Sequence, residues 1–249
     1  MPGAMTIIAI GAATLFLSSL TLLLALPSLT SAPSAPLQAT PAAPADPLAQ
    51  RAELAGVVVP PFELADPSGA PVTPDVFSGR VTILGPVFSN CPFICPLMTA
   101  EMLSLAKTLG DTGVRFVVMS LDPAHDTPQA MGLWAERLGA RSDAWTFATE
   151  PPPPPGGAYA QTVRAIVKAL GFDAWEDAGT PIPLQDGSAM LNIAHPPYLF
   201  LIGPRGELLD FFDHKHADLM AALAQRARAA DAALAARTSP QGTRSGALP

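Results

Sequence analysis

Cysteine is nearly absent: only Cys91 and Cys95 occur among the 249 residues. That excludes a disulfide scaffold and any all-thiolate zinc or iron–sulfur site, each of which needs about four sulfurs. Basic charge is equally sparse, with 14 Lys and Arg against 21 Asp and Glu for a net charge of -7. A chain without a basic excess has little to neutralise phosphates with, so nucleic acid is excluded as the main partner. No charged residue of either sign precedes Asp46, and the positive-inside rule has nothing to count there. What is present is apolar: 49% hydrophobic residues can bury a core, which excludes an intrinsically disordered acidic chain.

Residues 5–26, MTIIAIGAATLFLSSLTLLLAL, form an uncharged stretch of 22 residues. At about 1.5 Å per residue it matches a hydrocarbon core of roughly 30 Å. Signal peptides carry a shorter apolar region and a basic start, and the nearest cleavage candidate, Thr30-Ser31-Ala32, runs into Pro33. Residues 1–29 are therefore expected to be a single membrane anchor, with a signal peptide as the alternative. Residues 30–50, rich in Ala and Pro, read as an extended linker. Residues 51–237 read as one folded domain and 238–249 as a flexible tail.

Within the domain, strand and helix signals alternate, which predicts an α/β fold with a sheet covered on both faces. Residues 81–87, VTILGPV, predict a strand ending beside Cys91. A helix opens at Pro96, places Met98, Met102, Leu105 and Leu109 on one face and stops at Gly110. Residues 114–121 predict a buried strand, and Thr127-Pro128 cap a helix ending at Gly139. The 151–155 proline run with Gly156-Gly157 predicts a surface loop, and 159–170 a further helix. Residues 198–202 and 207–212 flank a Gly203-Pro204-Arg205-Gly206 turn as a hairpin, before a closing helix over 217–235. This is the thioredoxin-like order, a central mixed β-sheet flanked by helices. Its cysteines sit at a helix N-terminus, where unpaired backbone N–H groups favour a thiolate.

The cysteine loop reads Ser89-Asn90-Cys91-Pro92-Phe93-Ile94-Cys95-Pro96, a C-x-x-x-C pair. Residues four apart on a helix hold their Cβ atoms about 5 to 6 Å apart, whereas a disulfide wants about 3.5 to 4.5 Å. A bridge therefore requires the loop to adapt, while one metal ion between two thiolates relaxes the demand. Soft thiolates select Cu(I), and an added imidazole makes a three-donor site that also accepts Cu(II). Four histidines could supply it. His125 lies in a polar loop beside Asp126, where a solvated turn residue is the ordinary reading. His214 and His216 form an H-x-H pair with no third ligand in sequence nearby. His195 is the last polar side chain before the hairpin, and composition alone reads it as a loop histidine.

Together these pieces carry a resemblance. CPFICP, then Ser120-Leu121-Asp122-Pro123-Ala124-His125-Asp126-Thr127-Pro128, then His195 and LFLIGPRGELLDFF resemble the Sco/SenC family of membrane-anchored copper proteins. Pro61-Phe62-Glu63-Leu64-Ala65-Asp66 with Gly69 is similar to that family's opening segment. The resemblance implies a thioredoxin-like fold behind a membrane helix, with the domain in the periplasm or intermembrane space. It also implies copper, Cu(I) and in addition Cu(II), held by Cys91, Cys95 and His195. The implied role is assembly of the copper centre of cytochrome c oxidase, with an oxidase subunit or another copper chaperone as partner. His125 falls at a variable position of the D-P-x-x-D-T-P motif and is demoted. Where many members carry acidic residues, this chain has Phe93 and Ala194.

Two further readings use the same cysteines. A thiol–disulfide oxidoreductase would cycle a redox-active Cys91–Cys95 disulfide against a partner's cysteines. A thiol peroxidase would want an Arg or Thr beside its reactive cysteine, and the loop offers only Thr99. His195 separates the readings, because disulfide exchange proceeds without it and a three-donor copper site does not.

Overall fold

The structure, a computed structural model, describes residues 46–140 and 143–239. The expected anchor, most of the expected linker and the end of the expected tail lie outside the described residues. Among those described, no helix is long and apolar enough to cross a membrane.

A short antiparallel pair, β1 (Leu64–Ala65) and β2 (Pro71–Val72), precedes the main sheet. The central strand β3 (Thr82–Val87) is buried at every position, as its continuous apolar run requires of a strand covered on both faces. It runs parallel to β4 (Arg115–Ser120), which runs parallel to β5 (Trp145–Ala148). On its other side β3 pairs antiparallel with β8 (Tyr198–Ile202), and β8 with β9 (Leu208–Asp213). The order β5-β4-β3-β8-β9 is a mixed five-stranded sheet. A separate hairpin, β6 (Trp175–Pro183) with β7 (Ala189–Ala194), leads into His195.

Helix α1 (Cys95–Thr108) buries Cys95, Met98, Met102 and Leu105 against this sheet, one stripe at helical spacing. It approaches β3 closely: a Cβ at Gly85 would lie 2.6 Å from Met102 Sδ and 3.5 Å from a Leu199 methyl. Helix α2 (Pro128–Leu138) begins where the Thr127 hydroxyl accepts from Ala130 N–H at 3.2 Å and ends at left-handed Gly139. Helix α4 (Ala217–Thr238) packs on β9 and α1. Phe172 fills the opposite face of the sheet with Tyr198, Phe200 and Phe211, its ring centroid 4.9 to 5.3 Å from theirs.

Three expectations are revised. Helix α3 spans Thr162–Ala169 rather than 159–170. Its start is set by the buried Glu150 carboxylate, which accepts the N–H groups of Gln161 and Thr162 after a left-handed Gln161, so the preceding residues lie outside the helix. β5 and the β6–β7 hairpin were not anticipated, because WEDAGTPIP is exposed at most positions and carries no alternating apolar signal. Asp46–Gln50, assigned to the linker by composition, are packed on the domain. Leu48 is buried, and Gln50 Nε2 lies 2.8, 2.7 and 3.0 Å from the carbonyls of Leu54, Val57 and Leu208. Arg226, itself paired with Asp210, donates to Ala49 O at 2.9 Å.

A chain beginning at Asp46 is therefore expected to unfold cooperatively. One beginning at Arg51 should lose about 3 kcal/mol, combining the burial of one leucine with the hydrogen bonds of Gln50. Denaturant titration of the two proteins measures the difference, and equal midpoints would show that these five residues contribute nothing.

Candidate metal and thiol site

β3 delivers the chain to the end of the sheet, and the loop after it turns back through Cys91 N–H to Phe88 O at 3.4 Å before α1 begins at Cys95. The loop is anchored by Asp126, whose side chain is fully buried. Its carboxylate accepts Ser89 N–H at 3.0 Å and the hydroxyls of Ser89 and Ser120. Ser120 ends β4 and Ser89 precedes the first cysteine by two residues. One carboxylate therefore joins the cysteine loop to the neighbouring strand. Burial raises the Asp126 pKa, and the hydrogen bonds from Ser120 and Ser89 oppose that shift.

Both cysteines are free and buried, with Cys91 6% and Cys95 1% exposed. Their environments drive them apart. The Cys91 pKa is lowered to about 4, first by a hydrogen bond from the Cys95 thiol, then by His195 and by the backbone N–H groups of Cys95 and Phe93, against a burial cost. The Cys95 pKa is pushed up, chiefly by burial and then by the Cys91 thiolate beside it. The pair therefore holds one thiolate and one thiol at neutral pH.

His195 reaches the same point from the end of β7, with Nε2 3.3 Å from Cys95 Sγ. Its Nδ1 lies 3.1 Å from Pro196 O, an acceptor only, so Nδ1 carries the proton and donates it there. When Nε2 carries no proton its lone pair is free on this side of the ring, the tautomer that ligation needs. Phe88 packs edge-on against the imidazole, with centroids 6.0 Å apart.

The cluster is hydrogen-bonded rather than spread around an ion: among the described residues, no group of three or more His, Cys, Asp or Glu is already spaced to hold a metal. The donor set nevertheless fits a soft metal. With metal bonds of about 2.3 Å to sulfur and 2.0 Å to nitrogen, taking zinc values as a guide, the two donors stand about 3.5 to 3.7 Å apart. The observed 3.3 Å needs to open by only a few tenths of an ångström.

The other histidines separate. The His125 imidazole is held by Asp122, Nδ1 to Oδ2 at 2.8 Å, and lines a different cleft of about 240 Å³ with Arg164 and Glu176. His216 is exposed, whereas His214 is 4% exposed and its Nε2 has no hydrogen-bond partner. Asp126 is the functional residue that sequence reasoning passed over. It stood inside the D-P-x-x-D-T-P motif without an assigned contact.

Fold and site define a thioredoxin-like domain with a dithiol–imidazole cluster at the sheet end. The SCO1/SenC family model matches residues 50–230, and the chain belongs to that family. It is similar to the SCO1 protein homolog of Bacillus subtilis, 29% identical over 153 residues, covering 61% of this chain and 71% of the relative. With the mitochondrial Protein SCO2 of Saccharomyces cerevisiae it shares 34% identity over 153 residues, and it spans 46% of that relative's length. Among solved structures, copper-bound ScoI of Arabidopsis thaliana aligns with a TM-score of 0.53 at 19% identity, over 69% of this chain and 98% of that one. BsSco, described with a disulfide switch and as a member of the Sco family of cytochrome c oxidase assembly proteins, aligns with a TM-score of 0.52 at 23% identity, over 72% and 98%.

Two outcomes follow from this geometry. Ultraviolet thiolate absorbance of the reduced protein should titrate with a midpoint near pH 4 and vanish in Cys91→Ser. A midpoint near the ordinary thiol value of about 8.5 would contradict the assigned hydrogen bonds. Asp126→Ala strands the Ser89 N–H and the Ser120 hydroxyl and should cost about 2 to 4 kcal/mol by denaturant titration. A loss below about 0.5 kcal/mol would show that the carboxylate is not the loop's anchor.

Proposed function

We propose that this chain is a copper-binding metallochaperone that delivers copper to, or prepares, the copper centre of cytochrome c oxidase. The observation carrying this reading is the convergence of the buried Cys91 and Cys95 with Nε2 of the half-buried His195. Copper is the cargo: Cys91 offers a ready thiolate, Cys95 becomes a second when the metal replaces its proton, and His195 supplies the nitrogen. Two thiolates with one imidazole suit Cu(I) and also admit Cu(II). Membership of the SCO1/SenC family, the copper-bound ScoI and the description of BsSco support copper and oxidase assembly. The recipient is an oxidase subunit or another copper chaperone. Residues 1–29 anchor the domain to a membrane on its periplasmic or intermembrane-space side.

The split thiol pair favours a second reading, a thiol–disulfide oxidoreductase. The Cys91 thiolate attacks a partner disulfide, forming a mixed disulfide and releasing one partner thiolate. Cys95 then loses its proton, displaces the second partner sulfur and closes the Cys91–Cys95 disulfide, so two electrons pass to the partner's cysteines. Reduction of a partner's thiols would prepare them to take copper.

His195→Ala distinguishes the two. It should lose most Cu(II) binding and the thiolate-to-copper charge-transfer absorption, retain weaker Cu(I) binding and leave disulfide exchange nearly unchanged. His125→Ala should be close to neutral in all three measurements. Full retention of the Cu(II) spectrum in His195→Ala, with its loss in His125→Ala, would refute the ligand set. If neither histidine matters and only disulfide exchange depends on the cysteines, the oxidoreductase reading replaces the chaperone.

A further inference from the structure

The three donor residues stand on unequal supports. Cys91 and Cys95 belong to a loop and helix tied to the main sheet through β3 and the Asp126 carboxylate. His195 follows β7, which pairs with β6 in a two-stranded sheet separate from the five-stranded one. The residue is half-buried. Pro196 and Pro197 after it restrict the backbone but leave the imidazole free to rotate about its own side-chain bonds.

The hydrogen bonds of His195 do not fix that ring against the domain. Nδ1 donates to Pro196 O, the carbonyl of the next residue, which moves with the same loop. Nε2 stands 3.3 Å from Cys95 Sγ, and an incoming metal takes the place of that contact. A ring contact remains. Phe88 lies with its centroid 6.0 Å from that of the imidazole and its plane at 71° to it. Aromatic pairs hold a preferred angle over about 4.5 to 7 Å, so the contact survives the small opening that a metal requires.

Phe88 is itself firmly placed. It is fully buried and follows Val87, the last residue of β3, which pairs with Ser120 and accepts the N–H of Leu121 at 2.9 Å. The next residue, Ser89, is held by Asp126. The backbone of Phe88 also serves the cysteines: its carbonyl accepts Cys91 N–H at 3.4 Å, and its N–H opposes the rise of the Cys95 pKa as a hydrogen-bond donor to that sulfur. One residue thus meets the cysteines through its backbone and the histidine through its side chain. Replacing the side chain leaves the backbone groups present, so the two roles can be separated.

We propose that Phe88 is a positioning residue for copper, its ring orienting the His195 imidazole toward the two sulfurs. The proposal rests on the copper reading above and deepens it. A methionine or leucine would fill much of the same space without imposing an angle on the imidazole, and the nitrogen would then meet the ion in a spread of orientations. Cu(II), which depends on that nitrogen, would lose more than Cu(I), which the thiolates hold.

The test compares the full chain as wild type, Phe88→Met, His195→Ala and the double variant. Phe88→Met should lower Cu(II) affinity about tenfold and Cu(I) affinity about threefold, the span that one aromatic pair is worth. It should also broaden the thiolate-to-copper absorption and the imidazole nitrogen couplings seen by pulsed electron paramagnetic resonance. In the His195→Ala background the same replacement should change Cu(I) affinity by less than about twofold, because no imidazole is left to orient. Unchanged Cu(II) affinity and spectrum in Phe88→Met overturn the proposal. So does an equal fall in Cu(I) affinity in both backgrounds, which would assign the ring to the cysteine loop alone. Phe88→Leu takes the place of Phe88→Met if the copper-free methionine variant lacks a cooperative unfolding transition. Loss of that transition in both makes the ring a core-packing residue and also overturns the proposal. Wild-type protein that shows no thiolate-to-copper absorption after loading with Cu(II) refutes the copper reading itself, and the proposal with it.

Discussion

The buried carboxylate of Asp126 is the constraint on which the site depends. Through Ser89 it holds the loop before Cys91, and through Ser120 it holds the end of β4. Without that tie the cysteine loop would be a Pro-flanked excursion with few backbone hydrogen bonds of its own. With it, Cys91 rests against the N-terminus of α1 and Cys95 is the first residue of the helix. The cost of a buried acid is offset by three hydrogen bonds, and its negative charge is among the influences that keep the Cys95 proton in place.

That arrangement gives two identical side chains different chemistry. Cys91 lies where a thiol, an imidazole and backbone N–H groups converge, so its sulfur is anionic near neutral pH. Cys95 lies deeper and next to that anion, so its sulfur stays protonated. The same division serves metal uptake, which needs one thiolate in place and a second proton to displace, and disulfide exchange, which needs one nucleophile and one resolving thiol. The two proposed roles, chaperone and reductant, would thus be two uses of one electrostatic asymmetry. Only the first of them would call on His195.

Much of this was legible in the chain itself. Continuous apolar runs marked β3, β4 and β8, because a strand covered on both faces has no solvent side to alternate with. Thr127-Pro128 and Gly139 marked both ends of α2 through backbone rules that need no tertiary context. The β6–β7 hairpin was invisible, since β6 is largely exposed and carries Gly179 and Pro181 in the irregular stretch between its paired residues. The H-x-H pair was visible as spacing, but spacing could not tell that one imidazole turns inward and the other out.

By itself the sequence determined the fold class, the C-x-x-x-C pair at a helix N-terminus and the motif order that singled out His195 ahead of the last hairpin. These depend on local patterns, apolar periodicity, helix caps and motif order, that survive in one dimension. Only the tertiary structure decided that Asp126 anchors the loop, that Cys91 carries the charge and Cys95 the proton, and that His214 is buried while His216 is exposed. Each of these is a relation between segments far apart in the chain, and burial and electrostatic neighbourhood exist only once the sheet has brought them together.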